Sequence, residues 1–123
     1  MAKGIDPVKL TRADQKILKS YIPTLQGLAA YLGSSYEIVL HSLEDYDHSV
    51  IGIINGEHTG RRIGAPITDL ALDMLDELSA GGKTSTVYFS RNKKGEPLKS
   101  TTIAVRGEHD RIIGLICINL YLN

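Results

Sequence analysis

Asn55-Gly56-Glu57-His58-Thr59-Gly60-Arg61-Arg62-Ile63-Gly64-Ala65-Pro66-Ile67-Thr68-Asp69-Leu70 is the stretch on which the reading of this chain turns. It opens as a tight turn, continues as a glycine-spaced basic loop and ends at a helix start. Asn55-Gly56 favours positive φ at both central turn positions and so stops the apolar run before it. Gly60 and Gly64 let the backbone bend sharply or approach another group closely. Pro66 presets φ just ahead of the helix, and Thr68 or Asp69 can accept hydrogen bonds from the helix's free N–H groups. Those N–H groups, with Arg61 and Arg62 nearby, suit a small anion such as a carboxylate. A well-capped loop with solvated arginines fits the same residues, and the sequence leaves both readings open.

Upstream of this loop the chain alternates. From Tyr36 to Leu43, Ile38, Leu40 and Ser42 face one way while Glu37, Val39 and His41 face the other, the period of a strand. Ser49 to Ile54 forms a second strand, uniformly apolar and so expected to be covered on both faces. Further back, Thr11-Arg12-Ala13-Asp14 signals a helix start, a hydroxyl followed three places later by an acid. Ile17, Tyr21, Leu25, Leu28 and Leu32 then mark an apolar helix face, widened by Leu18, Ile22 and Ala29. Pro23 should kink this helix and Gly33 should end it. The face packs either on the domain's own sheet or on a second copy, and Ile17, Tyr21, Leu25 and Leu28 are the candidate dimer contacts. Residues 1–10 read as a loose lead-in to a domain over 11–123.

Downstream, a helix is expected over roughly 68–79, with Leu70, Met74, Leu75 and Leu78 on its apolar side and Gly81-Gly82 at its end. Three strands follow: Thr84 to Arg91, one entered by Pro97, and the Ile112 to Leu120 run, apolar on both faces and therefore central. The order predicts an α+β domain, a five-stranded antiparallel sheet with an N-terminal helix and a connecting helix gathered on one side. Two strands, a helical connection and a three-strand meander is the PAS-like order. Its ligand pocket lies between sheet and connecting helix, with the Asn55–Leu70 loop as rim.

Composition narrows the function. The chain has 123 residues, one domain's worth, with 14 Lys+Arg against 14 Asp+Glu, so a general basic face for nucleic acid is not expected. The single cysteine, Cys117, cannot form an internal disulfide, and no apolar run approaches a membrane span, so a cytoplasmic location is expected. His41, His48 and His58 lack any metal-ligand spacing, and no metal or cofactor is expected. Cys117 sits mid-strand, where a thiolate is disfavoured, and neither Ser34-Ser35 nor Ser90 lies in a G-x-S-x-G elbow. Arg61-Arg62 does not replace the G-K-[ST] of a phosphate loop. Catalysis is therefore not expected.

Arg61 is the first choice for ligand contact, because a guanidinium grips a carboxylate with two parallel hydrogen bonds. Thr68 and Asp69 either cap the helix or touch ligand, and Asp69 is placed to hold a ligand amine. His41 is either a pocket donor or acceptor or a histidine bonded within the core. Asn55, Thr59, Ser90 and Thr101 complete the candidates as neutral contacts.

Several of these stretches together resemble a known family. Leu43-Glu44-Asp45 with His48-Ser49-Val50, Ile54-Asn55-Gly56, Thr59-Gly60-Arg61, Gly64-Ala65-Pro66-Ile67-Thr68-Asp69-Leu70-Ala71-Leu72 and Ile113-Gly114-Leu115-Ile116-Cys117-Ile118-Asn119 are similar to the YheO-like PAS domain, from about Thr11 onward. The resemblance implies a bacterial transcriptional regulator in which the PAS-like domain precedes a helix-turn-helix. Some members, similar to the D-arginine-responsive repressor DauR, are thought to sense small metabolites. This sequence stops at Asn123 with no helix-turn-helix following, so it is either an excised sensor or a short form. DNA contact is expected only through that missing domain. The expected function is a metabolite-binding, homodimeric sensor domain; a dimerisation module without ligand and a small enzyme are the alternatives.

Overall fold

The computed structural model describes residues 5–122. Helix α1 (Arg12–Leu32) is followed by strands β1 (Tyr36–Ser42) and β2 (Val50–Ile54), helix α2 (Asp69–Gly81), and strands β3 (Ser85–Arg91), β4 (Pro97–Arg106) and β5 (Ile112–Tyr121). The strands form one antiparallel sheet in the order β2-β1-β5-β4-β3, with β5 at its centre. The fold class is α+β and PAS-like.

Local signals account for the helix ends. The Thr11 hydroxyl accepts from the Asp14 N–H at 3.1 Å, and the Asp14 carboxylate accepts from the Thr11 N–H at 3.0 Å, a reciprocal capping box. The helix then runs unbroken through the exposed Pro23. Thr68 caps α2 by accepting from the Ala71 N–H at 3.1 Å, and Gly82 closes it in the left-handed conformation, φ 66°.

The two helices lie on opposite faces of the sheet, not together on one side. Leu18, Leu25 and Ala29 of α1 pack with Ile38, Leu40, Ile113 and Ile116. Ala71, Leu72, Leu75 and Leu78 of α2 pack with Val39, Leu43 and Leu115. The cause is visible in β1 and β5, whose residues are apolar on both faces and need cover on both. The buried side of α2 is accordingly centred on Leu75, while Leu70 is 39% exposed and Met74 half-buried. Strand β2 is an edge strand, and Ile51 to Ile54 are only half-buried.

Close helix–sheet approach sets one residue type. At Gly114 an added Cβ would collide with Leu18 and with the His41 carbonyl oxygen. Val105 pairs with Gly114 and Arg106 with Ile112, so Ile113 is the extra residue of a bulge and reaches the α1 side along with Gly114.

The spacing of α1 divides the apolar stripe expected from the sequence. Leu25 is 6% exposed and belongs to the core, whereas Tyr21 and Leu28, seven residues apart, remain 37% and 38% exposed on the outer side. Ile17 is half-buried against the core. Met1 to Gly4 of the expected lead-in lie outside the described residues. Ile5, Val8 and Leu10 pack on the core, and the Val8 N–H donates to the Leu43 carbonyl at 2.9 Å.

Candidate functional site

The α2 side of the sheet is not filled. A cavity of about 500 Å³ lies between β1, β5, β4 and β3 on one wall and the loop before α2, with the first residues of α2, on the other. A smaller, mostly apolar crevice of about 160 Å³ between α1 and β2 carries Gln26 as its one polar side chain. The larger space, with converging polar groups, has the character of a binding site.

The loop is shaped residue by residue. Asn55 takes the left-handed conformation, φ 59°, and its amide donates to the Tyr36 carbonyl at 2.7 Å and more weakly to that of Gly33. Gly56 does not share that conformation. It opens a short 3-10 turn, Gly56–His58, and is required for space: a Cβ there would lie 2.8 Å from the Arg61 carbonyl oxygen and 2.9 Å from Ile53. Gly60 and Gly64 do take positive φ, 74° and 90°. The loop returns to β2, where the Gly64 N–H donates to the Val50 carbonyl at 2.8 Å and the Val50 N–H to that of Ala65 at 3.1 Å.

Of the residues singled out from the sequence, His41, Thr59, Arg61, Thr68 and Ser90 line the cavity. Three others do not. Asn55 is committed to the β1 start, Asp69 is exposed on α2, and the Thr101 hydroxyl donates to the Thr86 carbonyl at 2.7 Å from the opposite face of the sheet. Along β4 it is Leu98, Ser100, Thr102 and Ala104 that face α2, so Thr101 has the wrong parity.

His41 is 1% exposed and its Nδ1 lies 2.8 Å from the Ser49 hydroxyl. Burial, reinforced by the Arg61 charge, pushes its pKa down to about 3, so the ring is neutral at neutral pH. Arg61 donates from Nη2 to the Pro66 carbonyl at 2.8 Å and makes no ion pair with any described residue. Cys117 also borders the cavity, and burial raises its thiol to about 11, so it is protonated at neutral pH.

The lining also includes polar residues that were not candidates from the sequence, among them Glu37, His58, Tyr88 and Asn119, and Lys93 and Lys94 at the β3–β4 turn. Glu37 is fully buried, and its carboxylate accepts from the Thr59 hydroxyl at 2.6 Å and the Asn119 amide at 3.0 Å. The signal for it was present, since Glu37, Val39 and His41 alternate on one face of β1. His58 stacks on Tyr121 with ring centroids 4.1 Å apart, and Tyr88 shares a 2.8 Å hydrogen bond with Thr102.

The model of the YheO-like PAS domain matches residues 11–123. The chain belongs to that family. It is 52% identical over 120 residues to the YheO protein of Escherichia coli K12, covering 97% of this chain and 50% of the relative. A Haemophilus influenzae protein is 47% identical over 118 residues, covering 96% of this chain and 53% of its own length. The chain thus spans about half the length of these curated relatives. Among solved structures, the PAS domain of a Colwellia psychrerythraea protein superposes with a TM-score of 0.56 at 19% identity, covering 82% of this chain and 97% of that one. An RNA-binding light-oxygen-voltage receptor gives 0.53 at 16% identity, covering 94% of this chain and 37% of that one. At these identities the likeness is one of fold. No helix among the described residues is long and apolar enough to cross a membrane.

Proposed function

We propose that this YheO-like PAS domain is a non-catalytic sensor that binds a small polar metabolite, amino-acid-like or carboxylate, in the cavity beneath α2. The observation that carries the reading is Arg61: a guanidinium bordering a cavity of about 500 Å³, next to the α2 start and without an acidic partner among the described residues. Exposed basic residues at the β3–β4 turn, Lys93 and Lys94, add attraction for an anion at the mouth. The protonated Cys117 and the neutral His41, held by Ser49, give no activated nucleophile.

In this reading the domain belongs to a cytoplasmic transcriptional regulator whose DNA contact is made by a helix-turn-helix outside this sequence. Binding shifts the population of loop and helix arrangements through differential affinity for them. A second copy docks on the outer side of α1 at Tyr21 and Leu28, with Ile17 at its edge. Leu28→Glu is the variant for that surface, read as loss of dimer in sedimentation with the fold retained, since Leu25→Glu would strike the core.

A thermal-shift screen with amino acids of both hands and small carboxylates, repeated on Arg61→Ala, tests the sensor reading. A ligand at a hundred times its dissociation constant adds about 2.7 kcal/mol of stability. The expected result is a hit in the native protein that Arg61→Ala abolishes. Absence of any shift favours a dimerisation module without ligand.

A further inference from the structure

The described residues include two fully buried carboxylates, and the fold treats them differently. Asp14, on α1, is 0% exposed and is met by the Arg111 guanidinium as well as by the N–H groups of Thr11 and Glu108. Glu37, on β1, is likewise 0% exposed, yet no arginine, lysine or histidine among the described residues forms an ion pair with it. Among the described residues its two oxygens receive only neutral donors, the Thr59 hydroxyl on Oε2 and the Asn119 amide on Oε1. The Asn119 amide is itself oriented by the Ser100 hydroxyl, which donates to its Oδ1 at 2.7 Å and turns the NH₂ toward Glu37. Neither donor carries a formal charge.

Arg61 borders the same cavity with the opposite deficit. One of its five donors reaches the Pro66 carbonyl, and no carboxylate among the described residues pairs with it, Glu37 included. The cavity is therefore bordered by an acid and a base, Glu37 and Arg61, neither of which has an ion-pair partner among the described residues, with the exposed Arg91, Lys93 and Lys94 at its mouth. The buried Tyr121 hydroxyl has no hydrogen bond of ordinary geometry among the described residues, and burial and the Glu37 charge raise its pKa against an opposing contribution from Asn92.

We infer that the ligand is a zwitterion, an amino acid or close analogue, whose ammonium binds Glu37 while its carboxylate binds Arg61. The inference rests on the sensor reading above and narrows it, excluding a plain carboxylate. A simple carboxylate would answer Arg61 and the lysines at the mouth but leave Glu37 without a cationic partner. Asp69, exposed on α2, is replaced by Glu37 as the amine's partner.

Thr59 gives the binding step a consequence. Its hydroxyl covers the Glu37 carboxylate, and the Arg61 N–H donates to that same hydroxyl at 3.3 Å. An ammonium that takes the Thr59 position on Glu37 releases the hydroxyl and with it a tether of the 56–61 loop.

Matched pairs that differ by the amino group decide the matter: aspartate against succinate, glutamate against glutarate, alanine against propionate, glycine against acetate. Each is titrated calorimetrically into the native protein and into Glu37→Gln. At least one amino acid should bind the native protein about tenfold or more tightly than its des-amino partner, the scale of one charge-assisted hydrogen bond. Glu37→Gln should erase that preference while still binding the carboxylate. The native comparison stands even if the variant does not fold. Carboxylates that bind as tightly as the amino acids, or a preference that survives Glu37→Gln, would overturn the inference and leave the sensor reading intact. No binding by any compound here or in the broader screen overturns both.

Discussion

The two faces of the sheet are built to different specifications. On the α1 face, Leu18 is 1% exposed and presses so close to β5 that only glycine fits at position 114. The α2 face shares the central strands, yet it encloses about 500 Å³ and buries Glu37, His41, Ser49, Ser100 and Thr102. Apolar packing with only a small crevice fixes a helix against a sheet; a polar interior with a larger unfilled space leaves room and unmet hydrogen-bonding demand for something else. A small domain can hold both because each face is closed by its own helix.

Breaking the α1 face should have the largest effect. Leu18→Ala removes a buried side chain from the tightest contact, and a loss of roughly 3–4 kcal/mol is expected from the shift of the urea midpoint. The α2 face should respond to acid instead. His41 has a folded pKa of about 3 against 6.5 for the free ring, so its neutral form is favoured in the folded state. Stability is therefore full above pH 6.5 and is lost as the pH falls from there toward 3, by about 1.4 kcal/mol per unit. Urea titrations at pH 7, 6 and 5 on the native protein and on His41→Gln check this, since the variant should lose that slope. The smallest effect is expected at the rim. Thr68→Ala removes the hydroxyl that accepts from Ala71, and a loss of about 1 kcal/mol in thermal unfolding is expected.

Much of this could be read along the chain. Thr11 and Asp14 form the capping box that their spacing announces, and Gly82 takes the positive φ expected after α2. The double-sided apolar run of β5 belongs to the sheet centre. Thr101 and Glu37 were less legible for one shared reason. A strand's two faces are known from alternation, but which face meets the cavity depends on where each helix docks. The same holds for α1, where a broad apolar stripe could not say that Leu25 turns inward and Leu28 outward.

The sequence by itself determined the helix caps, the loop's glycine bends and the strand alternation, because each depends on residues a few positions apart, and the family, because its motif stretches are read directly along the chain. Tertiary structure alone decided that the helices take opposite faces and that Asp14 meets Arg111, 97 residues away. It also decided that Glu37 meets Thr59 and Asn119, 22 and 82 residues away, with no ion-pair partner among the described residues. Those pairings follow from strand register and helix docking, which bring distant residues together by packing the whole chain at once.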